Sequence, residues 1–134
     1  MKAPSVKFNV QDQPVFFNEL RSRVNAHFRD NNISKYGNLN MKLKTAFMLG
    51  LLITPFTFIL TGIVETPILT YLMWTLMGFG TSGIGLSIMH DANHGAYSKS
   101  DRVNRILGYL FNLIGSYHIN WKIQHNVLHH SFTN

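Results

Sequence analysis

Residues 68–94 read ILTYLMWTLMGFGTSGIGLSIMHDANH. The stretch carries 22 uncharged residues from Ile68 to Met89 and then, without a pause, two histidines four apart, His90 and His94. About 20 apolar residues suffice to cross a hydrocarbon core as a helix. Just upstream, Glu65-Thr66-Pro67 is a short break, and Ala46 to Val64 is a second charge-free run of 19 residues. Pro55 in its middle predicts a kink, which neighbouring membrane helices tolerate. Two spans joined by so short a turn must run antiparallel. A hairpin buried in a soluble bundle is the alternative, but such helices normally keep a polar face, and neither run has one. The expected fold is an all-α membrane protein: a transmembrane helical hairpin with spans at about 46–64 and 68–89. Amphipathic or interfacial helices accompany it and carry histidines on the cytoplasmic side.

That side follows from charge. Lys35, Lys42 and Lys44 precede the first span, Lys99, Arg102 and Arg105 follow the second, and the loop at Glu65 has no positive charge. The positive-inside rule then puts the N-terminus and the histidines in the cytoplasm, at the inner membrane if the source is bacterial. The net charge of +6 is therefore read as membrane orientation, and no nucleic-acid partner is expected. Charged residues are only 13% of the chain, about half the share of a soluble domain. The 134 residues amount to about one domain. The absence of cysteine excludes disulfides and thiolate metal ligands. Residues 1–45 are polar and basic and hold no signal-peptide core. The sequence stops just past the last histidines, so the expectation is the front portion of a longer protein.

Within residues 1–45, Asp12 and Pro14 read as the start of a helix over 14–30, after an extended 1–13. Val15, Phe16, Leu20 and Val24 recur at helical spacing with His27 or Phe28, and Glu19 pairs with Arg23 at i,i+4. Such a helix lies on a membrane face or packs on the rest of the protein. Gly37 to Asn40 marks a turn. Gly78-Phe79-Gly80-Thr81-Ser82-Gly83 matches a dinucleotide-binding pattern but lacks the strand that must precede it. Gly78, Ser82, Gly83 and Ser87 instead suit close helix packing in a membrane. After a turn at Ser98 to Asp101, residues 101 to about 119 read as one helix, too short in its apolar part to span.

The chemistry lies in two histidine clusters, which hold five of the six imidazoles within residues 90–130. His90 and His94 share a helix face one turn apart, and His125 and His129 repeat that spacing. His130 adds a donor farther around the helix. Imidazole suits iron, zinc, copper and nickel. Asp91, Asn93, Gln124 and Asn126 are placed to orient the rings. A zinc hydrolase of the His-Glu-x-x-His kind needs a glutamate base, and neither cluster contains one. An all-histidine site at a membrane instead favours oxygen-activating iron. His27 reads as an ordinary helix residue. His118, seven residues before His125, would share its stripe on a continuous helix, as a ligand or an orienting residue.

At these residues the chain resembles the membrane fatty acid desaturases. His90 to His94 matches that family's first histidine box, H-x3-H, and His125, His129 and His130 match its second, H-x3-H-H. The flanking residues, Asp91 and Gly95 around the first box and Trp121, Asn126, Thr133 and Asn134 around the second, are similar to the front-end type acting on acyl-CoA or linoleoyl-CoA, including bacterial members. The resemblance implies two non-haem irons held by histidines of three boxes. His90, His94, His125, His129 and His130 would be metal ligands and catalytic residues. The reaction would be oxygen-dependent insertion of a cis double bond into a fatty acyl chain, lipid-linked or on coenzyme A, lying between the helices. Residues 46–134 would form the first part of the desaturase domain, behind a cytoplasmic segment 1–45.

The third box is not within the 134 residues, so this chain alone is not expected to complete the di-iron site or to be active. Nor does it contain the His-Pro-Gly-Gly motif of a fused cytochrome b5 domain, which implies a separate electron donor of cytochrome b5 or ferredoxin type. Two other readings stay open on the ligands alone. One is a related di-iron hydroxylase or monooxygenase. The other is a non-enzymatic membrane protein binding haem or metal through its histidines.

Overall fold

The computed structural model describes residues 14–130, and among them every regular element is helical. Helix α1 runs Pro14–Asp30, as the apolar spacing predicts, with Glu19 accepting from the Arg23 guanidinium at 2.7 Å. Asn32 closes it with a φ of 52°, a conformation asparagine accepts more readily than most residues. The expected Asp12 cap and extended 1–13 lie outside the described residues.

Helix α2, Leu39–Leu60, starts well before the charge-free run. The cause is Asn38, whose side-chain oxygen accepts the Met41 amide at 3.1 Å and caps the helix. Lys42 and Lys44 therefore ride on the first turns of the span instead of preceding it. The helix continues through Pro55, which is buried. After the loop Thr61 to Thr66, turned by Gly62 at φ 71°, Pro67 opens α3, Pro67–Gly83. A π-helical segment, Ile84–Met89, then leads into α4, His90–Asn93. The whole run Pro67–Asn93 is 27 residues long, so His90 sits inside the end of the helix and not beyond it. It and α2 are each long and apolar enough to cross a membrane.

α2 and α3 pack antiparallel along their length. A methyl group on Gly80 would lie 2.8 Å from the Leu52 nitrogen, so glycine is what lets the two backbones meet. Gly83 packs against the Met48 side chain, whereas Gly78 faces open space. The glycine motif is thus a helix contact and not a phosphate loop. Away from this seam, large apolar side chains point outward, Leu86 being 81% exposed and Ile68 75%. Water would penalise such a surface at roughly 25 cal/mol per Å², whereas lipid does not.

The buried core sits at the histidine end. Ile84, Ile88, Ala92 and Tyr97 pack with Met41, Met48 and Leu52 of α2 and with Leu107, Leu110 and Ile114. Thr45 donates to the Met41 carbonyl at 2.8 Å, so the Tyr97 hydroxyl is the donor in its own 2.8 Å bond to Thr45. Residues 101–119 are not one helix, contrary to the periodicity. They form α5 (Asp101–Gly108), α6 (Leu110–Leu113) and the start of α7 (His118–Trp121). Gly115, at φ 90°, reverses the chain, and the Asn112 side chain accepts the His118 amide at 3.2 Å to restart it. A second π-helical segment, Lys122–His129, follows α7.

Candidate metal centre

The first histidine pair inherits its position from the core. Ile88, Met89, Ala92 and Asn93 are buried, which fixes the rotation of α4 and turns His90 and His94 to the opposite face. Their rings lie 4.6 Å apart. His94 is the C-cap of α4, and Gly95 leaves the helix at φ 72°. The Asp91 carboxylate lies 3.1 Å from Nδ1 of His90. A carboxylate only accepts, so it holds the proton on Nδ1 and leaves the Nε2 lone pair of His90 free.

The second cluster depends on the π-helical turn. In a turn closed i to i+5, residues four and five apart straddle one line, so His129 and His130 flank His125 instead of diverging. His125 reaches the first pair, with ring centroids 5.1 Å from His90 and 5.2 Å from His94. One nitrogen from each of His90, His94 and His125 lies within 4.8 Å of the other two. His130 approaches His94 at 5.1 Å and His125 at 4.9 Å. His129 stacks on His125 at 5.2 Å and meets neither ring of the first pair.

This donor set fits a metal. Ligand nitrogens about 2.1 Å from a tetrahedrally bound ion stand about 3.4 Å apart, so donors as far as 4.8 Å apart would draw together by about 1.4 Å to share one ion. Nε2 of His125 is buried and has no hydrogen-bond partner among the described residues, which leaves it available to a metal. Burial, and then the neighbouring imidazoles of His90 and His130, lower the pKa of His94 and of His125 below 6.5. Nearby Asp91 opposes the shift at His94. The shift favours the neutral form of both rings, the form that binds metal.

Trp121 forms one wall of the cluster, a role the sequence reading missed. Its indole stacks on His125 at 4.4 Å and 19°, and stands edge-on to His90 and His94 at 5.7 Å each. Its position four residues before His125 was the available signal. His118 lies elsewhere: it packs on Tyr109 at 4.5 Å, and its Nδ1 donates to Asn112 at 2.8 Å. The wider π turn breaks the seven-residue stripe that would have aligned it with His125. Gln124 is exposed, whereas Asn126 is half-buried and donates to the Asn93 carbonyl at 3.1 Å. An apolar groove of about 510 Å³ runs between Leu52, Phe56, Met77 and Leu113. A second hollow of about 530 Å³, near Glu65 and Trp74, lies at the opposite end of the hairpin.

Comparison with known proteins agrees with this architecture. The chain is 42% identical over 119 residues to the sn-1 linoleoyl-lipid 6-desaturase of Arthrospira platensis, covering 89% of this chain and 32% of that protein. It is 32% identical over 115 residues to the protein of the same name from Synechocystis sp., covering 86% and 32%. It is 33% identical over 134 residues to the acyl-lipid (8-3)-desaturase of Physcomitrium patens, covering 99% and 28%. The chain thus spans about a third of the length of these curated relatives. No solved structure matches. The family model for fatty acid desaturase matches residues 66–134, more than half of the chain and all five clustered histidines, and the chain belongs to that family.

Proposed function

We propose that this chain supplies the first two histidine boxes of an oxygen-dependent di-iron desaturase, which inserts a cis double bond into a lipid-linked fatty acyl chain. The observation that carries the reading is the meeting of His90 and His94 with His125, residues from two separate segments, at one end of a lipid-compatible hairpin. The choice of a lipid-linked acyl group over acyl-CoA follows the names of the relatives, which are acyl-lipid or linoleoyl-lipid enzymes. In this reading a third box and further spans come from sequence beyond these residues, residues 1–45 form a cytoplasmic basic segment, and the boxes face the cytoplasm. Lys42 and Lys44 on one side and Lys99, Arg102 and Arg105 on the other support that orientation.

The five histidines hold the iron pair, with His90, His94 and His125 nearest one another and His129 and His130 available to the second ion or to the third box. The bound irons supply oxygen activation strong enough to oxidise an unactivated methylene. The protein side chains do the rest. Asp91 keeps the His90 proton on Nδ1 and so presents Nε2. Trp121 closes one flank of the cluster against water. The groove beside Leu52 and Met77 holds the acyl chain by apolar contact, so that its carbons are presented in a fixed order. Each turnover takes two hydrogens from adjacent carbons and two electrons and two protons from outside, and reduces one dioxygen to two waters. The electrons come from a separate cytochrome b5- or ferredoxin-type carrier.

The same ligands would serve a hydroxylase, so the test is the product. The longest reading frame containing this sequence is expressed in a host rich in linoleoyl lipids, and the fatty acids are profiled. A new cis-unsaturated acid, lost in His94→Ala and His129→Ala, is the expected result. A hydroxylated acid, or no product from a folded, iron-loaded protein, overturns it. A haem-binding role is disfavoured by the geometry, because three imidazoles and an indole crowd the space a flat macrocycle would need between two axial ligands.

A further inference from the structure

The second box is held against the first by very little. The π-helical segment Lys122–His129 buries no residue, and its apolar side chains Ile123, Val127 and Leu128 are exposed. Yet His125 must stay within reach of His90 and His94 for the three nitrogens to act together. Among the described residues, one side-chain hydrogen bond joins the two boxes: Asn126 Nδ2 donates to the main-chain oxygen of Asn93 at 3.1 Å. Its recipient is firmly placed. Asn93 is 7% exposed, its amide donates to the Met89 sulfur at 3.3 Å, and its side chain packs on Gly108, where any larger residue would collide with it. Asn126 is next in sequence to His125, so whatever holds its amide also fixes the backbone that carries the ligand.

We propose that Asn126 is a positioning residue that sets the distance between the two histidine boxes and so tunes metal affinity. This rests on the metal reading above but asks more of it: affinity must depend on a side chain that touches no metal. Asn93 serves as a fixed post and Asn126 as the adjustable arm. The role calls for a donor of this length. Aspartate has the same shape but places an acceptor against an acceptor, alanine has nothing, and glutamine keeps the donor on a longer arm.

The test is a Co(II) titration of the full 134-residue chain in detergent micelles, read by cobalt absorption and by quenching of Trp121 emission in a Trp74→Phe background. The parent is expected to bind Co(II). Asn126→Ala and Asn126→Asp should bind about tenfold more weakly, the scale of one lost hydrogen bond, with unchanged helical circular dichroism. Asn126→Gln should recover part of the loss, and Val127→Ala, an exposed neighbour, should bind as the parent does. Equal affinity in parent and Asn126→Asp overturns the positioning role while leaving the metal centre intact. Equal loss in the alanine, aspartate and glutamine variants, or loss of helicity in all three, assigns Asn126 to the fold and overturns it too. A parent that binds no Co(II) shows that His90, His94 and His125 do not hold a metal without the third box, and overturns the positioning role in this chain.

Discussion

The two histidine boxes share the H-x3-H spacing, to which the second adds His130, and are built in opposite ways. The first grows out of a membrane helix, and its non-ligand positions, Ile88, Met89, Ala92 and Asn93, are the core of the molecule. The second stands on a π-helical segment with no buried residue, held by one amide hydrogen bond and a wall of aromatic rings. The first box is therefore positioned by apolar burial before any metal arrives. The second has no such burial among the described residues. Under the proposed metal reading, a centre with one anchored half and one exposed half would draw its donors together by moving the second half alone.

Several substitutions would break or sharpen this contrast. The largest effect is expected within the second box. Replacing His125 by alanine in the complete enzyme should lower desaturation about a hundredfold or more, since losses of 10- to 100-fold already follow from removing mere partners of ligands. His118→Ala, only seven residues away, should change product formation by less than about threefold, because its ring is engaged with Tyr109 and Asn112. Comparable losses at both positions would mean that His118 shares the centre.

The next effect separates the boxes by stability. Ile88 is fully buried beneath the first box, and Ile88→Ala should cost about 2–4 kcal/mol of unfolding free energy in micelles. Val127, 53% exposed in the second, should cost less than about 0.5 kcal/mol on the same change. Equal costs would show the second box to be as deeply anchored as the first.

The smallest effect is that of pH. His94 and His125 have pKa values lowered from 6.5, so the folded metal-free chain binds their protons less readily than the unfolded chain does. The stability they contribute is fully present above pH 6.5 and fades as pH falls through their lowered values. Thermal melts of the metal-free chain should show a small drop in Tm from pH 7.5 to pH 5, and none from 8.5 to 7.5. A Tm that rises on acidification would reverse the sign and imply that the imidazoles are charged in the fold.

Much of this was legible in the sequence, for identifiable reasons. The hairpin could be seen because two uncharged runs have one physical use at that length, and α1 because its apolar residues keep a 3.6-residue period. The first box was read correctly as one helix face, since buried neighbours enforce that helix. The stretch from Asp101 to His130 was harder. Its apolar residues continue a helical pattern through Gly115, and only the left-handed turn there, stabilised by Asn112, shows that the helix stops. The two π-helical segments left no composition signal, and they decide which histidines meet: a strict α-helical period aligns His118 with His125, whereas the wider turn drops His118 and gathers His130. Trp121 was named only as a flanking residue of the second box, because sequence spacing alone does not show that its ring stacks on His125.

The central claim is that the two boxes make one centre, and a pair of single variants tests it most directly. Metal binding to the full chain is titrated for the parent, His90→Ala and His125→Ala, each changed in a different box. A shared centre predicts that either substitution alone removes the tightest binding event, with the protein still folded by circular dichroism. If each variant keeps that event and loses only a separate, weaker one, the boxes bind independently, and the convergence of His90, His94 and His125 is not a metal centre.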